Sequence, residues 1–237
     1  MAKALIKGIL NSGMLTKDDI FTSDSDGDNQ AAVDFGDYIF LTVKPNMYNH
    51  VLSNLVHTED KVFITVAPGI KTTGINAKVI RTMPNTPALV GEGVTTVCRG
   101  AGVTDSEFEY AKKLLSTCSA VYEFEEPLMD YTVALSGSSP AYAYLFIDAM
   151  ANFGAKHGID YETAKKMAAQ TLLGAAKMVL ESDESPTQLC DKVCTKGGAT
   201  IKAVEKFREL GLESLIAQAM DACAMRAIEM AHLPLDK

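Results

Sequence analysis

The sequence contains no tryptophan, no long run of apolar residues and no cluster of positive charge. Its uninterrupted apolar runs stay below the roughly 18 residues that a membrane-spanning helix needs, so we expect no membrane segment. The formal net charge is −8. Because an acidic protein repels phosphate backbones and anionic lipid, we predict neither a nucleic-acid partner nor a role at a membrane surface.

The sequence also lacks the cysteine and histidine spacing of a metal centre or a disulfide framework. Its five cysteines, at positions 98, 118, 190, 194 and 223, are odd in number and scattered, which is typical of free thiols in a reducing compartment. A zinc site on Cys190 and Cys194 would need two further ligands, and the four histidines show no ligand spacing. We therefore predict no metal site. The N-terminal segment lacks the apolar core of a signal peptide, and we expect a cytoplasmic protein.

Residues 1–126 alternate between helix-like and strand-like patterns. The continuous apolar runs YIFLTV (38–43) and KVFITV (61–66) are typical of strands buried on both faces of a sheet. This alternation predicts an α/β domain with a doubly wound, Rossmann-like parallel sheet. We predict further strands at 20–23, 79–83 and 94–99, and helices at 2–10, 29–35, 46–56 and 105–117.

Residues 127–237 show little strand pattern and are predicted to form an all-α domain. Capping residues and glycines mark the ends of five helices, whose broad faces carry alanine, leucine, methionine and isoleucine. Two interpretations remain open at this point, a self-contained bundle and an interlocked dimer in which the helices of two copies pack together. The predicted helices run from Ser138 to about His157, from Asp160 to about Glu181, from Pro186 onward, from the turn at 197–198 to Gly211, and over about 212–231.

Three predicted strands are followed by residues that suit a ligand site. Doubly wound proteins bind ligands beyond the carboxyl ends of their strands. The segments directly after these strands are Lys44-Pro45, Ala67-Pro68-Gly69 and Pro84-Asn85-Thr86-Pro87. Their small or turn-forming residues let the backbone pass close to a ligand. Each segment alone is also what an ordinary turn requires. Their occurrence at three strand ends in succession favours a binding site.

Two turns in front of predicted helices could hold an anion. Lys196-Gly197-Gly198-Ala199-Thr200 combines two glycines, a hydroxyl and the free N–H groups of a helix start, which suit a carboxylate or a phosphate. The segment Leu135-Ser136-Gly137-Ser138-Ser139-Pro140 offers hydroxyls in a similar setting, and helix capping alone would explain both segments. No Ser/His/Asp or Cys/His arrangement and no carboxylate pair stands out. Such a sequence is typical of an enzyme whose cofactor supplies the difficult chemical step.

Six segments form an ordered series: TVKP (42–45), APGI (67–70), RTMPNTPALVGEG (81–93), LSGSSPAY (135–142), AAQTLLGAAKMVLES (168–182) and GGATI (197–201). The series resembles that of the pyrroline-5-carboxylate reductases, and the resemblance covers most of residues 1–20 and 29–231. It implies reduction of the cyclic imine 1-pyrroline-5-carboxylate to L-proline by NADPH or NADH, with hydride passing to the C=N carbon. It also implies an interlocked helical homodimer, or a ring of such dimers.

The resemblance implies a role for individual residues. The backbone N–H groups of Gly197, Gly198 and Ala199 would hold the substrate carboxylate, and Ser136 would also bind the substrate. Thr200 matches the threonine that hydrogen-bonds the imine nitrogen, so it is the expected catalytic residue. The positions that match cofactor contacts are Ser23, Asn29, Val43, Lys44, Pro45, Ala67, Pro68 and Asn85.

The sequence departs from the family pattern in three places. The family opens with a strand and a glycine-rich loop, whereas this sequence starts where that loop would be ending. Only five residues separate Ser23 from Asn29, fewer than the about 10–12 that a βαβ crossover needs. We therefore expect residues 1–126 to be incomplete at the N-terminus, in a truncated chain or in one whose ordered segments are joined across gaps. Lys196 replaces a usual proline, and Ser139 replaces a usual glycine.

Two other functions remain open from the sequence. A β-hydroxyacid dehydrogenase has the same layout, but it needs a lysine on the first long helix of its second domain. Only Lys156, near the far end of that predicted helix, is available. A degenerate member of the reductase family would serve assembly alone, and it would bind no cofactor.

Overall fold

The computed structural model describes residues 1–24 and 26–231 and divides into two compact units. Unit 1 comprises Met1–Pro140 and Met220–Lys237, and unit 2 comprises Ala141–Ala219. The domain boundary between residues 126 and 127 stays a prediction. No helix within the described ranges is long and apolar enough to cross a membrane.

Unit 1 alternates helices and strands as predicted, and its Rossmann-like α/β class is confirmed. A π-helical turn, Val133–Gly137, follows its fifth helix. The elements of this unit are α1 (Ala2–Ser12), α2 (Asn29–Phe35), β1 (Tyr38–Leu41), α3 (Tyr48–Leu52), β2 (Val62–Thr65), β3 (Lys78–Pro84), β4 (Gly93–Arg99), α4 (Asp105–Ser116), β5 (Ser119–Glu123) and α5 (Glu126–Thr132).

The sheet is mixed, although the sequence predicted a parallel one. Its strands lie in the order β1-β2-β3-β4-β5, and all neighbours are parallel except β3 and β4, in which Thr82 lies opposite Val97. Residues 85–92, which include a short 3-10 helix, are all that joins these two strands. A parallel return needs a crossover of about a dozen residues or more, so this short link allows only an antiparallel return.

Strands β2 and β3 are buried on both faces, which explains the continuous apolar sequence of β2, whereas β1 at the end of the sheet is only partly buried. Phe63 of β2 and Val79 of β3 pack with residues of α2 and α3 on one face. Ile64 and Ile80 pack with residues of α1 and α4 on the other face. Because successive side chains of a strand point to opposite faces, both faces must be apolar when helices cover each of them.

The first helix packs through one apolar face. Ala4, Leu5 and Ile9 are buried, and a Cβ added at Gly8 would lie 2.7 Å from the Cβ of Cys118. Gly13 ends the helix in the left-handed conformation, with φ of 71°. The sequence therefore places this helix correctly, and glycine at position 8 allows its close approach to the loop in front of β5.

The predicted strand at 20–23 is wrong. Residues 20–24 have no regular secondary structure, and β1 lies at the end of the sheet with β2 as its neighbour. A strand exists only where another strand accepts its hydrogen bonds, so an apolar–polar pattern alone does not form one. The sequence analysis also missed β5 and α5. The outward side chains of β5 are mostly exposed, so it lacks the apolar run of a buried strand.

The helices of the second half begin within about one residue of the predicted starts. The Asp160 side chain accepts the N–H of Thr163, and Ser185 and Gln188 form a reciprocal capping box. Only small residues of these helices are buried, whereas many large apolar side chains are exposed. Extended apolar surface of this kind is typical of a protein–protein interface. The helices are α6 (Ser139–Lys156), α7 (Tyr161–Glu181), α8 (Pro186–Val193), α9 (Ala199–Glu209) and α10 (Leu212–Ala231).

A buried ion-pair network ties the sheet to α5. Arg81 of β3, whose side chain is 3% exposed, pairs with Glu126 at 3.4 Å and also with Asp130. The carboxylate of Glu126 accepts the Thr72 N–H at 2.8 Å and the Thr72 hydroxyl at 2.6 Å. Burial alone would raise the pKa of Glu126, but the Thr72 hydrogen bonds and the Arg81 charge outweigh it and hold the pKa below the ordinary value. The network joins β3, the segment after β2 and α5.

We predict that Arg81→Met lowers the free energy of unfolding by about 3–5 kcal/mol, because two carboxylates then lack their counter-charge in a largely buried position. Arg99→Met is the matched control, since Arg99 pairs with Asp105, whose side chain is 92% exposed. The control should lose no more than about 1 kcal/mol. Urea denaturation measures both variants, and equal losses would contradict a structural role for the network.

Candidate active site

A cavity of about 580 Å³ lies along β1 in unit 1. Its lining includes residues of α1 and α2, the segment 18–23 and the two residues that follow β1. Ser23, Asn29 and Val43, three of the expected cofactor contacts, all line it. The volume lies within the about 300–1,000 Å³ of small-molecule sites. The fold therefore brings together residues from three separate segments around a space that can admit part of a dinucleotide.

A hydroxyl and an ammonium group beside this cavity suit an anionic ligand, although three carboxylates also line it. The Ser23 hydroxyl donates to the Asp24 carbonyl at 3.2 Å and keeps its lone pairs for a second partner. Lys44 directly follows the cavity residue Val43, is exposed, and makes no ion pair within residues 1–24 and 26–231. Pro45 then opens a short 3-10 turn. An ammonium group and a hydroxyl beyond a strand end are the donors that a dinucleotide phosphate would use.

The segment after β2 comes close to the end of the last helix. Ala67 is buried, and Pro68 is followed by Gly69 in the left-handed conformation, with φ of 81°. A Cβ at Gly69 would lie 3.2 Å from the backbone of Met230 and Ala231. Position 69 therefore needs glycine both for its dihedral angle and for this contact. Neither Ala67 nor Pro68 lines the cavity along β1.

The side chain of Asn85 is hydrogen-bonded to the backbone of Ser136. The family resemblance had implied that Asn85 contacts the cofactor and that Ser136 binds the substrate. The Asn85 side-chain nitrogen donates to the Ser136 carbonyl at 3.0 Å, and its oxygen accepts the Val94 N–H at 2.9 Å. The Ser136 hydroxyl donates to the Thr132 carbonyl at 3.1 Å. Both side chains are buried. Asn85 therefore joins the end of β3, the start of β4 and the π-helical turn into one rigid corner.

The turn at Gly197 and Gly198, called the glycine turn below, lies in unit 2. No side chain caps the backbone N–H groups at this helix start. Gly197 is left-handed, with φ of 76°, and the N–H of Gly198 donates to the Thr195 carbonyl at 2.9 Å. Gly198 is the N-cap of α9 and makes no side-chain cap hydrogen bond. Ala199 and Thr200 begin the helix and are exposed. The first N–H groups of a helix without a cap suit a carboxylate.

The expected site residues thus fall into three sets in the structure. Ser23, Asn29 and Val43 share the cavity, with Lys44 and Pro45 directly after it. Ala67, Pro68 and Asn85 lie at neighbouring strand ends outside that lining, and Asn85 holds Ser136. Gly197, Gly198, Ala199 and Thr200 belong to unit 2. Within the described residues, no group of three or more His, Cys, Asp or Glu side chains could hold a metal ion.

Comparison with known proteins identifies the family. Residues 126–230 match the family model of the pyrroline-5-carboxylate reductase dimerisation domain. Residues 1–69 match the model described as NADP oxidoreductase, coenzyme F420-dependent. The chain is 35% identical over 247 residues to the pyrroline-5-carboxylate reductase of Escherichia coli, covering 94% of this chain and 92% of that protein. The chain belongs to the pyrroline-5-carboxylate reductase family.

Two further relatives extend this assignment. The reductase of Corynebacterium melassecola is 37% identical over 214 residues, which cover 86% of this chain and 79% of that protein. The crystal structure of the Plasmodium falciparum pyrroline carboxylate reductase, solved with NADP bound, superposes with a TM-score of 0.88 at 28% identity. That match covers 96% of this chain and 93% of the other. The chain is therefore an oxidoreductase of this family, with a dimerisation domain in its second half.

The alignment with the Escherichia coli reductase spans 247 positions but involves only 94% of the 237 residues here, so it contains positions that have no counterpart in this chain.

We predict that Asn85→Ala lowers the free energy of unfolding by about 2–4 kcal/mol, because it leaves the Ser136 carbonyl and the Val94 N–H without their partner. Asn152→Ala is the control, since the Asn152 amide bonds the exposed carboxylate of Asp148 at 2.9 Å. Thermal and urea unfolding of both variants checks the difference. Similar stability of the two variants would contradict the proposed corner.

Proposed function

We propose that this chain reduces 1-pyrroline-5-carboxylate to L-proline with NADPH or NADH. The observation that carries the proposal is the 35% identity over nearly the whole length of a protein named pyrroline-5-carboxylate reductase. The cavity along β1 and the uncapped turn before α9 supply two sites of the required chemistry. Both ligands are anions, and each site offers hydrogen-bond donors, although Asp18, Asp19 and Asp37 also line the cavity along β1.

On the cofactor side, we assign the dinucleotide to the carboxyl ends of β1, β2 and β3. Ser23 and Asn29 line the cavity there, and Lys44 supplies a positive charge beside Val43. A bound nicotinamide cofactor supplies the hydride that adds to the C=N carbon of the substrate. Ala67, Pro68 and the corner held by Asn85 form the neighbouring strand ends, where small side chains and fixed backbone leave room for a flat ring.

On the substrate side, we assign the carboxylate to the N-terminal turn of α9. Gly197 and Gly198 carry no side chains that would cover the N–H groups, and the positive end of the helix dipole favours a negative charge. The Thr200 hydroxyl stands in the first turn of the same helix, where it can hydrogen-bond the ring nitrogen of a substrate held by its carboxylate. We also assign Ser136 to the substrate; its hydroxyl donates to the Thr132 carbonyl and keeps its lone pairs for a second partner.

The assembly that we propose is an interlocked homodimer, or a ring of such dimers. Residues 126–230 match a dimerisation model, and the helices of this region bury few of their large apolar side chains within one chain. A second copy would cover that surface. We further propose that the enzyme works in the cytoplasm, because all five cysteines are free thiols.

We predict that Thr200→Ala lowers the turnover of 1-pyrroline-5-carboxylate by about tenfold to a hundredfold, the effect of one lost hydrogen bond to a charged group. The affinity for NADPH should stay nearly unchanged, because Thr200 lies on the substrate side. Thr200→Ser keeps the hydroxyl and should retain most of the activity. Steady-state kinetics with NADPH oxidation measures all three proteins, and unchanged turnover in Thr200→Ala would remove this residue from the mechanism.

We predict that Lys44→Met weakens NADPH binding about tenfold, or about 1.4 kcal/mol. The reason is the loss of a charge-assisted contact to phosphate, and the difference should shrink as salt is raised. Lys61→Met is the control, because Lys61 stands in front of β2 and pairs with Asp37 at 3.8 Å. Fluorescence titration with NADPH gives both dissociation constants. An equal affinity of Lys44→Met and the unaltered protein would place the phosphates elsewhere.

A further inference from the structure

Two cysteines of unit 2 lie close enough to react with each other. The sulfurs of Cys190 and Cys194 are 4.0 Å apart at the end of α8, and both side chains are half-buried. Cys98 and Cys118 are buried in unit 1. Burial, followed by the charge of Glu126, raises the pKa of Cys98 to about 11, which leaves it mostly protonated and unreactive. Burial and the hydrogen bond from Cys190 also raise the pKa of Cys194, so the case for this pair rests on the proximity of its two sulfurs.

The backbone at this pair can accommodate a disulfide. Four helical residues span about 6 Å, and disulfides join Cα atoms that are about 4.4–6.8 Å apart. Cys194 is the C-cap of α8, and its φ of −90° and ψ of 83° lie outside the helix. Its N–H is shared between the carbonyls of Cys190 and Asp191, both at 3.1 Å. A residue at a helix end can shift toward its neighbour without disrupting a continuous ladder of hydrogen bonds.

A shift of Cys194 would also move Thr195, the one residue that connects it to the glycine turn. Thr195 follows Cys194, and its carbonyl accepts the N–H of Gly198 at 2.9 Å. A Cβ placed at Gly198 would collide with the Thr195 hydroxyl, so the two residues are tightly packed. The conformation of Gly197 and Gly198 therefore depends on where Thr195 stands.

We propose that Cys190 and Cys194 form a dithiol modification site that takes a low-molecular-weight disulfide as oxidant and thereby weakens substrate binding. The thiolate of one cysteine attacks a sulfur of the reagent and releases one reagent thiol. The second cysteine attacks the mixed disulfide and releases the other reagent thiol. Two electrons pass from the cysteine pair to the reagent, and the two cysteine protons end on the two released thiols. The effect on substrate binding rests on the proposed function, whereas formation of the disulfide does not.

The experiment treats the full-length protein with oxidised glutathione, alkylates the remaining thiols and maps the peptides by mass. We expect a disulfide between Cys190 and Cys194, with a peptide about 2 Da lighter than the reduced form. The KM for 1-pyrroline-5-carboxylate should rise about tenfold while the KM for NADPH stays the same. Dithiothreitol should reduce the disulfide and restore the original KM for the imine. Cys190→Ser and Cys194→Ser should each abolish the response, whereas Cys223→Ser, at another half-buried cysteine, should keep it.

Each other outcome overturns a stated part of the proposal. Peptide maps without the disulfide would disprove the modification site. A disulfide that leaves the KM for the imine unchanged would disprove its connection to the glycine turn, and a response that persists in both serine variants would do the same. An untreated protein that does not oxidise NADPH with the imine would disprove the proposed function, and the peptide maps would still decide whether the disulfide forms.

Discussion

The buried charge of Arg81 is the constraint on which the site region depends. A guanidinium can lie in the protein interior only if carboxylates compensate it, and here Glu126 and Asp130 do so from α5. Glu126 also holds Thr72, which lies after the strand end carrying Ala67 and Pro68. The same ion pairs therefore fix β3, the segment after β2 and the helix that leads into the π-helical turn. The arrangement bears on Ala67, Pro68, Asn85 and Ser136, whereas the cavity along β1 is built by other elements.

The stability of unit 2 depends on the hydrophobic effect and not on a buried ion pair. Side chains cap the starts of α7 and α8, but the buried residues of this unit are mainly alanine and glycine. Small buried side chains remove little apolar area from water and stabilise a single copy weakly. Large apolar side chains such as Leu145, Phe153 and Leu180 stay exposed in one chain. The hydrophobic effect therefore favours assembly, in agreement with the match to a dimerisation model.

The sequence predicted the elements well wherever local signals decide. The helix at 29–35 has the predicted bounds because Asp28 caps it and Gly36 follows it. The strand at 20–23 was wrong because pairing depends on a neighbour that local sequence does not reveal. The antiparallel β4 follows from the shortness of its link, and the bond between Asn85 and Ser136 joins residues 51 positions apart. Periodicity cannot predict such long-range contacts, whereas motif resemblance could find both residues but not their bond.

The glycine turn explains why so few side chains carry the expected chemistry. Backbone N–H groups can bind a carboxylate without any titratable residue, so the substrate site that we propose needs only glycines and a helix start. A site of this kind is insensitive to the protonation of side chains but sensitive to the backbone angles on which it is built. Gly197 holds a φ of 76° that a residue with a Cβ adopts only under strain. Any change that moves the preceding residues would therefore act on the proposed anion site through geometry, and Cys190 and Cys194 are the pair that we propose to cause such a change.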